Sequence, residues 1–374
     1  MKKQADNQVI LSGGGTGGHI FPAIAIAQEL SALRADLEFL FVGAKGKMEM
    51  EKVPKAGFPI IGLPVSAFHR RATWKNLIFP FKLVASMIKA SKIIRKYQPV
   101  LVIGTGGFAS GPLLKAATRH GVPTLVQEQN AFPGVTNRLL ARRAQRICVA
   151  HNGMEEWFDS DKIVLSGNPV RKDLSGMEFK KPEALGFFKL NSHMPVALLF
   201  GGSLGALALN EAIALSLEKI RDMGIQLIWQ TGKGYYKKAR ELVAQKGMNG
   251  VHVFAFLERM DLAYAAADVL MCRAGAITLS ELCLAAKPAI LVPYPAAAGN
   301  HQMKNALSFR DKNAAWVLDN HEAKEKLIDL LKELMGNQKE QNIMKENLAK
   351  LARPEAGKHI ANVALEIIDK NLSK

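Results

Sequence analysis

The residues best suited to do chemistry follow a short apolar run near the start of the chain, Val9-Ile-Leu-Ser-Gly-Gly-Gly-Thr-Gly-Gly-His19. An apolar run that turns through glycines into the helix-like stretch 20–30 predicts strand, tight loop and helix. Such a loop gathers bare backbone N–H groups and a helix N-terminus at one point, which favours a bound diphosphate. His19 closes the loop with an imidazole, the kind of side chain that serves as a general base near neutral pH. A second loop, Gly104-Thr-Gly-Gly-Phe-Ala-Ser-Gly-Pro112, repeats the pattern. A plain turn accounts for one or two of its glycines better than for four. A third stretch, Cys272-Arg-Ala-Gly-Ala-Ile-Thr-Leu-Ser-Glu281, places a carboxylate beside an expected helix start. Thr278-x-x-Glu281 has capping-box spacing, yet a carboxylate there can also accept both hydroxyls of a ribose, and the two readings are compatible.

The elements that position these groups are legible as period and punctuation. Short β-branched runs end in turn residues at Leu37–Gly43, Pro59–Val65, Pro99–Gly104, Val122–Val126, Arg146–Ala150 and Lys162–Ser166. Helix-length segments separate them, which predicts a parallel sheet covered on both faces. A polar stretch broken by Gly and Pro runs to Pro182 and reads as a linker. The rhythm then restarts at Pro195–Phe200 and Gly201-Gly-Ser-Leu-Gly-Ala206, with further strands at 225–230, 251–256, 268–272, 289–293 and 313–318. The expected fold class is α/β with two doubly wound, Rossmann-like domains. The tail from Ala323 to Lys374 has helical spacing, with Pro354 as a joint and a last segment that crosses back to the first domain. The expected boundaries are 1–170 plus about 355–374 for one domain and 171–354 for the other.

Bulk composition narrows the class. The chain of 374 residues carries a formal charge of +17, which implies an anionic partner. From Lys52 to Gln127 there is no Asp or Glu, while twelve Lys and Arg fall there. Within that stretch Trp74, Leu77, Ile78, Phe79 and Phe81 are mixed with positive charge that includes Lys82. Apolar anchors beside lysines suit an anionic bilayer surface, where each nearby basic residue contributes about 1 kcal/mol. A core helix with a solvated basic face is the plainer alternative. Three scattered cysteines make neither a disulfide framework nor a paired zinc site. No signal peptide is expected, nor any run of the roughly 20 apolar residues that span a bilayer, so the protein is expected inside the cell. The dinucleotide fingerprint Gly13-x-Gly15-x-x-Gly18 is formally present. The acidic residue that should hold a ribose after the second strand is replaced by Gly43-Ala-Lys45.

Taken together and in order, Gly14-Gly-Thr-Gly-Gly-His19, Val53-Pro-Lys-Ala-Gly57, Gly104–Pro112, Glu128-Gln-Asn130, Gly167-Asn-Pro-Val-Arg171, Phe200–Ala206, Ala274–Glu281 and His301-Gln302-x-x-Asn305 resemble the MurG family of peptidoglycan N-acetylglucosaminyltransferases. The resemblance implies a GT-B fold, with two Rossmann-like domains across a cleft. It implies an inverting transfer of N-acetylglucosamine from UDP-N-acetylglucosamine to the 4-hydroxyl of the muramoyl sugar of lipid I, giving lipid II, with no cofactor and no metal. By position, Glu281 would hold the donor ribose. Ser203, Thr278 and Leu279 would hold the diphosphate and Leu257 the uracil through backbone contacts, with Ala276, Ile277 and Ser280 also binding the donor. Gln302 with His301 would hold the sugar hydroxyls, and Thr16, Gly17, Gly18, Asn130 and Arg171 would complete the donor side. Gly14, Gly15, Gly104, Thr105, Gly106 and Gly107 would receive the acceptor diphosphate. His19 is the candidate base and Glu128 its rival. The acceptor's lipid implies a peripheral site on the cytoplasmic face of the cell membrane, and the pathway implies cell-wall or division proteins as partners.

The chain departs from the family at Gln127, commonly His, and at Phe108, frequently Tyr. The loop Tyr294–Asn300 lacks the charged residues often found there. Asp159-Ser-Asp161 is formally a DxD metal motif, but it precedes a strand instead of ending one and reads as turn chemistry. Two other classes fit parts of the sequence. A UDP-N-acetylglucosamine 2-epimerase shares architecture and donor. A basic nucleic-acid binder explains the charge but not the glycine loops.

Overall fold

The computed structural model describes residues 7–65, 75–170, 174 and 176–373. Trp74 and Arg171 lie outside the described residues, as do the side chains of Leu77 and Ile78. The chain divides into two compact units, Met1–Val170 with Pro354–Lys374, and Arg171–Arg353.

In the first unit the order is β1 (Gln8–Ser12), α1 (Gly17–Leu33), β2 (Glu38–Ala44), α2 (Glu49–Lys55), β3 (Ile60–Leu63), α3 (Lys75–Tyr97), β4 (Leu101–Gly104), α4 (Ser110–Arg119), β5 (Thr124–Glu128), α5 (Val135–Ala141), β6 (Arg146–Val149) and β7 (Ile163–Leu165). Among the described residues, its seven strands pair in the order β3-β2-β1-β4-β5-β6-β7, with every pairing parallel. Strands covered by helices on both faces read as apolar runs, and β1 and β4 are buried along their whole length. The strand order reverses between β1 and β4, whose last register pair is Ser12 with Gly104. The two glycine loops therefore leave the sheet side by side, at the switch point where open α/β sheets bind ligands.

In the second unit the order is α6 (Lys181–Phe188), β8 (Val196–Phe200), α7 (Leu207–Leu215), α8 (Leu217–Asp222), β9 (Gln226–Gln230), α9 (Lys233–Gln245), β10 (Val251–Phe254), α10 (Met260–Ala266), β11 (Val269–Cys272), α11 (Ala276–Ala285), β12 (Ala289–Leu291), α12 (His301–Arg310), β13 (Trp316–Val317), α13 (Ala323–Gly336) and α14 (Gln338–Leu351). The sheet order is β10-β9-β8-β11-β12-β13, again all parallel. Here the order reverses between β8 and β11, where Phe200 is the register partner of Cys272.

After Pro354 the chain forms α15 (Ala356–Leu372), which belongs to the first unit. Its buried residues Ile360, Ala361, Ala364 and Ile368 join one core cluster with Ile20, Ile24 and Ala27 of α1. Gly357 fits against Glu29 and Pro169, and Arg34 Nη1 donates to Asp369 at 2.6 Å. The polar stretch read as linker gives way to α6 at its end: Lys181 and Pro182 open the helix, and Lys189 ends it in the left-handed conformation.

The three cysteines are free and buried, and burial pushes each thiol up to about 12, so thiolate chemistry is closed to them.

Candidate active site

In the first unit, the two glycine loops are bolted to each other. Thr105 donates its N–H to Ser12 O at 2.9 Å and its hydroxyl to the carbonyl of His19 at 2.7 Å. Ser110 Oγ donates to Ser12 O and Gly106 O, both at 2.8 Å. Gly107 lies so close to the backbone of Gly14 that a Cβ there would overlap it, and its φ of +82° also calls for glycine. From the other side Glu49, fully buried at the start of α2, accepts from Gly15 N at 3.2 Å and from Ala44 N at 3.0 Å.

This bracing corrects part of the expected anion site. The N–H of Gly15 is held by a carboxylate, and the N–H and hydroxyl of Thr105 are both engaged inside the loops. A buried carboxylate against the first loop also repels an anion at that N–H. Of the six residues expected to receive the acceptor diphosphate, Gly15 and Thr105 therefore have engaged N–H groups, and Gly106 is buried against the His19 ring, next to the half-exposed first turn of α1. That turn includes Thr16 and Gly18, and Thr16 gives it no side-chain cap.

His19, half-buried in the first turn of α1, brings Nδ1 to 3.0 Å from Thr105 O and 3.1 Å from Gln129 Oε1. Glu128 is placed differently. It is buried, and Oε1 accepts from Asn130 N and Nδ2, both at 3.0 Å, while Oε2 accepts from Gly134 N at 3.0 Å and Asn137 Nδ2 at 2.8 Å. A carboxylate receiving four N–H donors braces the 129–134 loop, and Asn130 is one of the groups that hold it.

In the second unit, Ser203 is exposed on the loop after β8, which Gln230 holds by accepting from Gly201 N at 3.3 Å and donating to Gly202 O at 3.0 Å. Gln230 Nε2 also reaches Ala255 O at 3.3 Å, two residues before the buried Leu257. α11 begins on Gly275, which has no side chain to cap it. Thr278 is therefore the third helical residue, not a cap, and the capping-box reading of Thr278 and Glu281 falls. Leu279 N–H already donates to Gly275 O at 2.9 Å, so the helix start offers its anion-binding end at Ala276, Ile277 and Thr278. Ser280 Oγ bonds back to Ala276 O at 3.1 Å.

Glu281 is 5% exposed, and its Oε2 accepts from the hydroxyl of the fully buried Tyr264 at 3.0 Å. Gln302, in the first turn of α12, accepts from Tyr294 N at 2.9 Å beside a half-buried His301. Asn305 ties α12 to Ala274 O at 3.4 Å, so α12 and α11 start at the same sheet edge. Arg273 fills the space between them, with Nη1 donating to Val292 O, Pro293 O and Asn320 Oδ1 at 2.9, 3.2 and 2.7 Å. Burial lowers the affinity of its guanidinium for the proton, but an arginine starts so high that it stays charged.

Asp159 accepts from Asp161 N at 3.4 Å and pairs with Lys162 at 3.5 Å, which is turn chemistry. A cavity of about 560 Å³ beside α5, lined by Arg138, Leu139, Trp157 and Lys162 among others, touches none of the candidate site residues.

Four positioning groups lie outside the sequence-derived set: Glu49, Gln129, Tyr264 and Arg273. Gln129 and Arg273 had a signal, their places inside the stretches Glu128–Asn130 and Cys272–Glu281.

Family models match both halves of the chain, the glycosyltransferase family 28 N-terminal domain over residues 9–149 and the C-terminal domain over 196–360. A curated relative from Cytophaga hutchinsonii, a UDP-N-acetylglucosamine–N-acetylmuramyl-(pentapeptide) pyrophosphoryl-undecaprenol N-acetylglucosamine transferase, is 47% identical over 99% of both chains. The chain belongs to the MurG family. A MurG relative of the same description from Phocaeicola vulgatus is 48% identical over 97% of both chains. The crystal structure of Acinetobacter baumannii MurG superposes with a TM-score of 0.76 at 28% identity, covering 96% of this chain and 99% of that one. MurG membership accounts for two parallel-sheet units that each open with strand, glycine loop and helix.

Proposed function

We propose that this protein transfers N-acetylglucosamine from UDP-N-acetylglucosamine to the 4-hydroxyl of the muramoyl sugar of lipid I, with inversion, giving lipid II for peptidoglycan synthesis. Near-complete alignment at 47% identity with transferases of that description carries the reading and favours it over an epimerase, which shares the architecture alone.

The reaction needs a base for the acceptor hydroxyl, a receiver for the charge that develops on UDP, and exclusion of water. His19 takes the proton on Nε2 as the 4-hydroxyl oxygen bonds to the anomeric carbon and the bond to UDP breaks. The diphosphate gathers its charge at the start of α11 and the Ser203 loop, whose N–H groups do the work a metal does elsewhere. Glu281, held by Tyr264, accepts the ribose hydroxyls, Leu257 meets the uracil through its backbone, and Gln302 with His301 orients the sugar.

The membrane reading rests on α3. Phe81, Val84 and Ile88 are 77%, 58% and 54% exposed at helical spacing, and the whole stretch Phe81-Lys82-Leu83-Val84-Ala85 faces out. Phe79 is half-buried. Among the described residues no helix is long and apolar enough to cross a membrane. The protein binds the cytoplasmic face of the cell membrane through this stripe and its lysines, where lipid I is presented, and cell-wall or division proteins are its natural neighbours.

The test is UDP release from UDP-N-acetylglucosamine in the presence of chelator, with and without a soluble lipid I analogue. Release that requires acceptor is expected. Turnover without acceptor points to an epimerase or hydrolase, and loss of activity in chelator removes the metal-independent mechanism.

A further inference from the structure

The side chain of His19 meets a run of buried amides whose orientations follow from one another. Asn168 Nδ2 donates to the backbone carbonyl of Gln129 at 3.1 Å, which turns Asn168 Oδ1 toward Gln127. Gln127 must then present Nε2 to that oxygen, and it does so at 2.9 Å, leaving its own Oε1 toward Gln129. Gln129 Nε2 accordingly faces three acceptors: Thr105 O at 2.7 Å, Gln127 O at 3.2 Å, and Gln127 Oε1. Its oxygen is left facing His19 Nδ1 at 3.1 Å. Thr105 O, a pure acceptor, faces the same nitrogen at 3.0 Å. A nitrogen between two acceptors carries the proton.

We infer that Gln129, itself set by Gln127 and Asn168, is a positioning residue that locks His19 in the Nδ1–H tautomer and so keeps the Nε2 lone pair free to take the acceptor proton. Gln127, Gln129 and Asn168 are each at most 2% exposed, so water does not compete for these amides. Gly106 guards the same geometry: a Cβ there would sit 2.9 Å from Nδ1 and 3.0 Å from Cε1. The amides of this network do not titrate, and the nearest carboxylate, Glu128, reaches it through Asn137, whose Nδ2 lies 3.2 Å from Gln127 O and 2.8 Å from Glu128 Oε2. An ionisable group placed at position 127 would therefore be new to the acid limb of kcat/KM. This inference rests on the reading of His19 as the base.

The experiment uses full-length protein with ¹⁵N-labelled histidine. At pH above the imidazole titration, the signals that disappear in His19→Ala are expected to show a protonated Nδ1 and an unprotonated Nε2. Gln129→Met keeps the side-chain length but removes the acceptor. It is expected to mix the tautomers and lower kcat about tenfold or more while KM for both substrates stays within twofold. Gln127→His is expected to add a second ionisation to the acid limb. A protonated Nε2 in the unmodified protein overturns the lock without any variant having to fold. A Gln129→Met enzyme with unchanged tautomer and kcat overturns it too. If instead His19→Ala keeps kcat within tenfold, the base reading fails whatever the tautomer.

Discussion

The two switch points are built alike and braced in opposite ways. In each, two loops leave the sheet from register partners, Ser12 with Gly104 in the first unit and Phe200 with Cys272 in the second. In the first unit the loops hold each other through Thr105, Ser110 and the Gly14–Gly107 approach, with Glu49 underneath. In the second, each loop is held from its own flank, Gly201 and Gly202 by Gln230 on β9 and Arg273 by the segment after β12. Loops clamped together have hydroxyl and N–H groups engaged within the clamp and present a positioned side chain, His19. Loops held from outside present a helix end to an anion. One topology therefore yields a proton-transfer site or a diphosphate site, depending on where the hydrogen bonds of its loops go.

Breaking either half should leave the other intact. His19→Ala is expected to lower kcat about 10²–10⁴-fold, with UDP affinity by calorimetry unchanged. A parallel loss of UDP binding would mean that the first unit is not a separate proton-transfer site. Glu281→Ala is expected to weaken donor binding by about 1.5–3 kcal/mol, the range for a charge-assisted hydrogen bond, seen as a rise in donor KM with acceptor KM unaltered. Glu49→Ala strands the N–H groups of Gly15 and Ala44 and is expected to cost about 1–3 kcal/mol of first-unit stability in denaturant melts. If the second unit's transition shifted instead, the bracing described for the first loop would be wrong.

The smallest effect concerns pH. Asp261, buried on α10, is held well below the usual carboxylate range by hydrogen bonds from Arg259 at 2.8 and 2.9 Å, and Lys180 adds another at 3.0 Å. A lowered folded-state value contributes stability above the unfolded value near ~3.9 and loses it as pH falls below that. Melting of Asp261→Asn should therefore match the parent more closely at pH 3 than at pH 7. A constant difference would show that the charge of Asp261 is not what matters.

The architecture was legible because each strand is a short β-branched run ended by a turn residue, and because glycines marked both switch points. The bracing was not, since its partners are far apart in sequence: Gly15 meets Glu49 across 34 positions and His19 meets Gln129 across 110. Thr278-x-x-Glu281 misled because the spacing of a capping box also occurs one turn inside a helix, and Gly275 had already taken the cap position. The bracing of Glu128 was hidden too, because a carboxylate in a motif carries no sign of the four donors that fold around it. α6 was missed because its Pro182 reads as a breaker unless the helix begins there.

The return of α15 to the first unit sets an order of events during synthesis. The apolar face of α1 is made first, yet the helix that covers it emerges only after the whole second unit. At ~5–20 residues per second, about 340 residues separate the end of α1 from the end of α15, so that face waits about 17–70 s on the ribosome. A chain stalled or truncated before residue 354 would therefore hold a finished second unit and an unfinished first, with Ile20, Ile24 and Ala27 open to any chaperone or neighbouring chain.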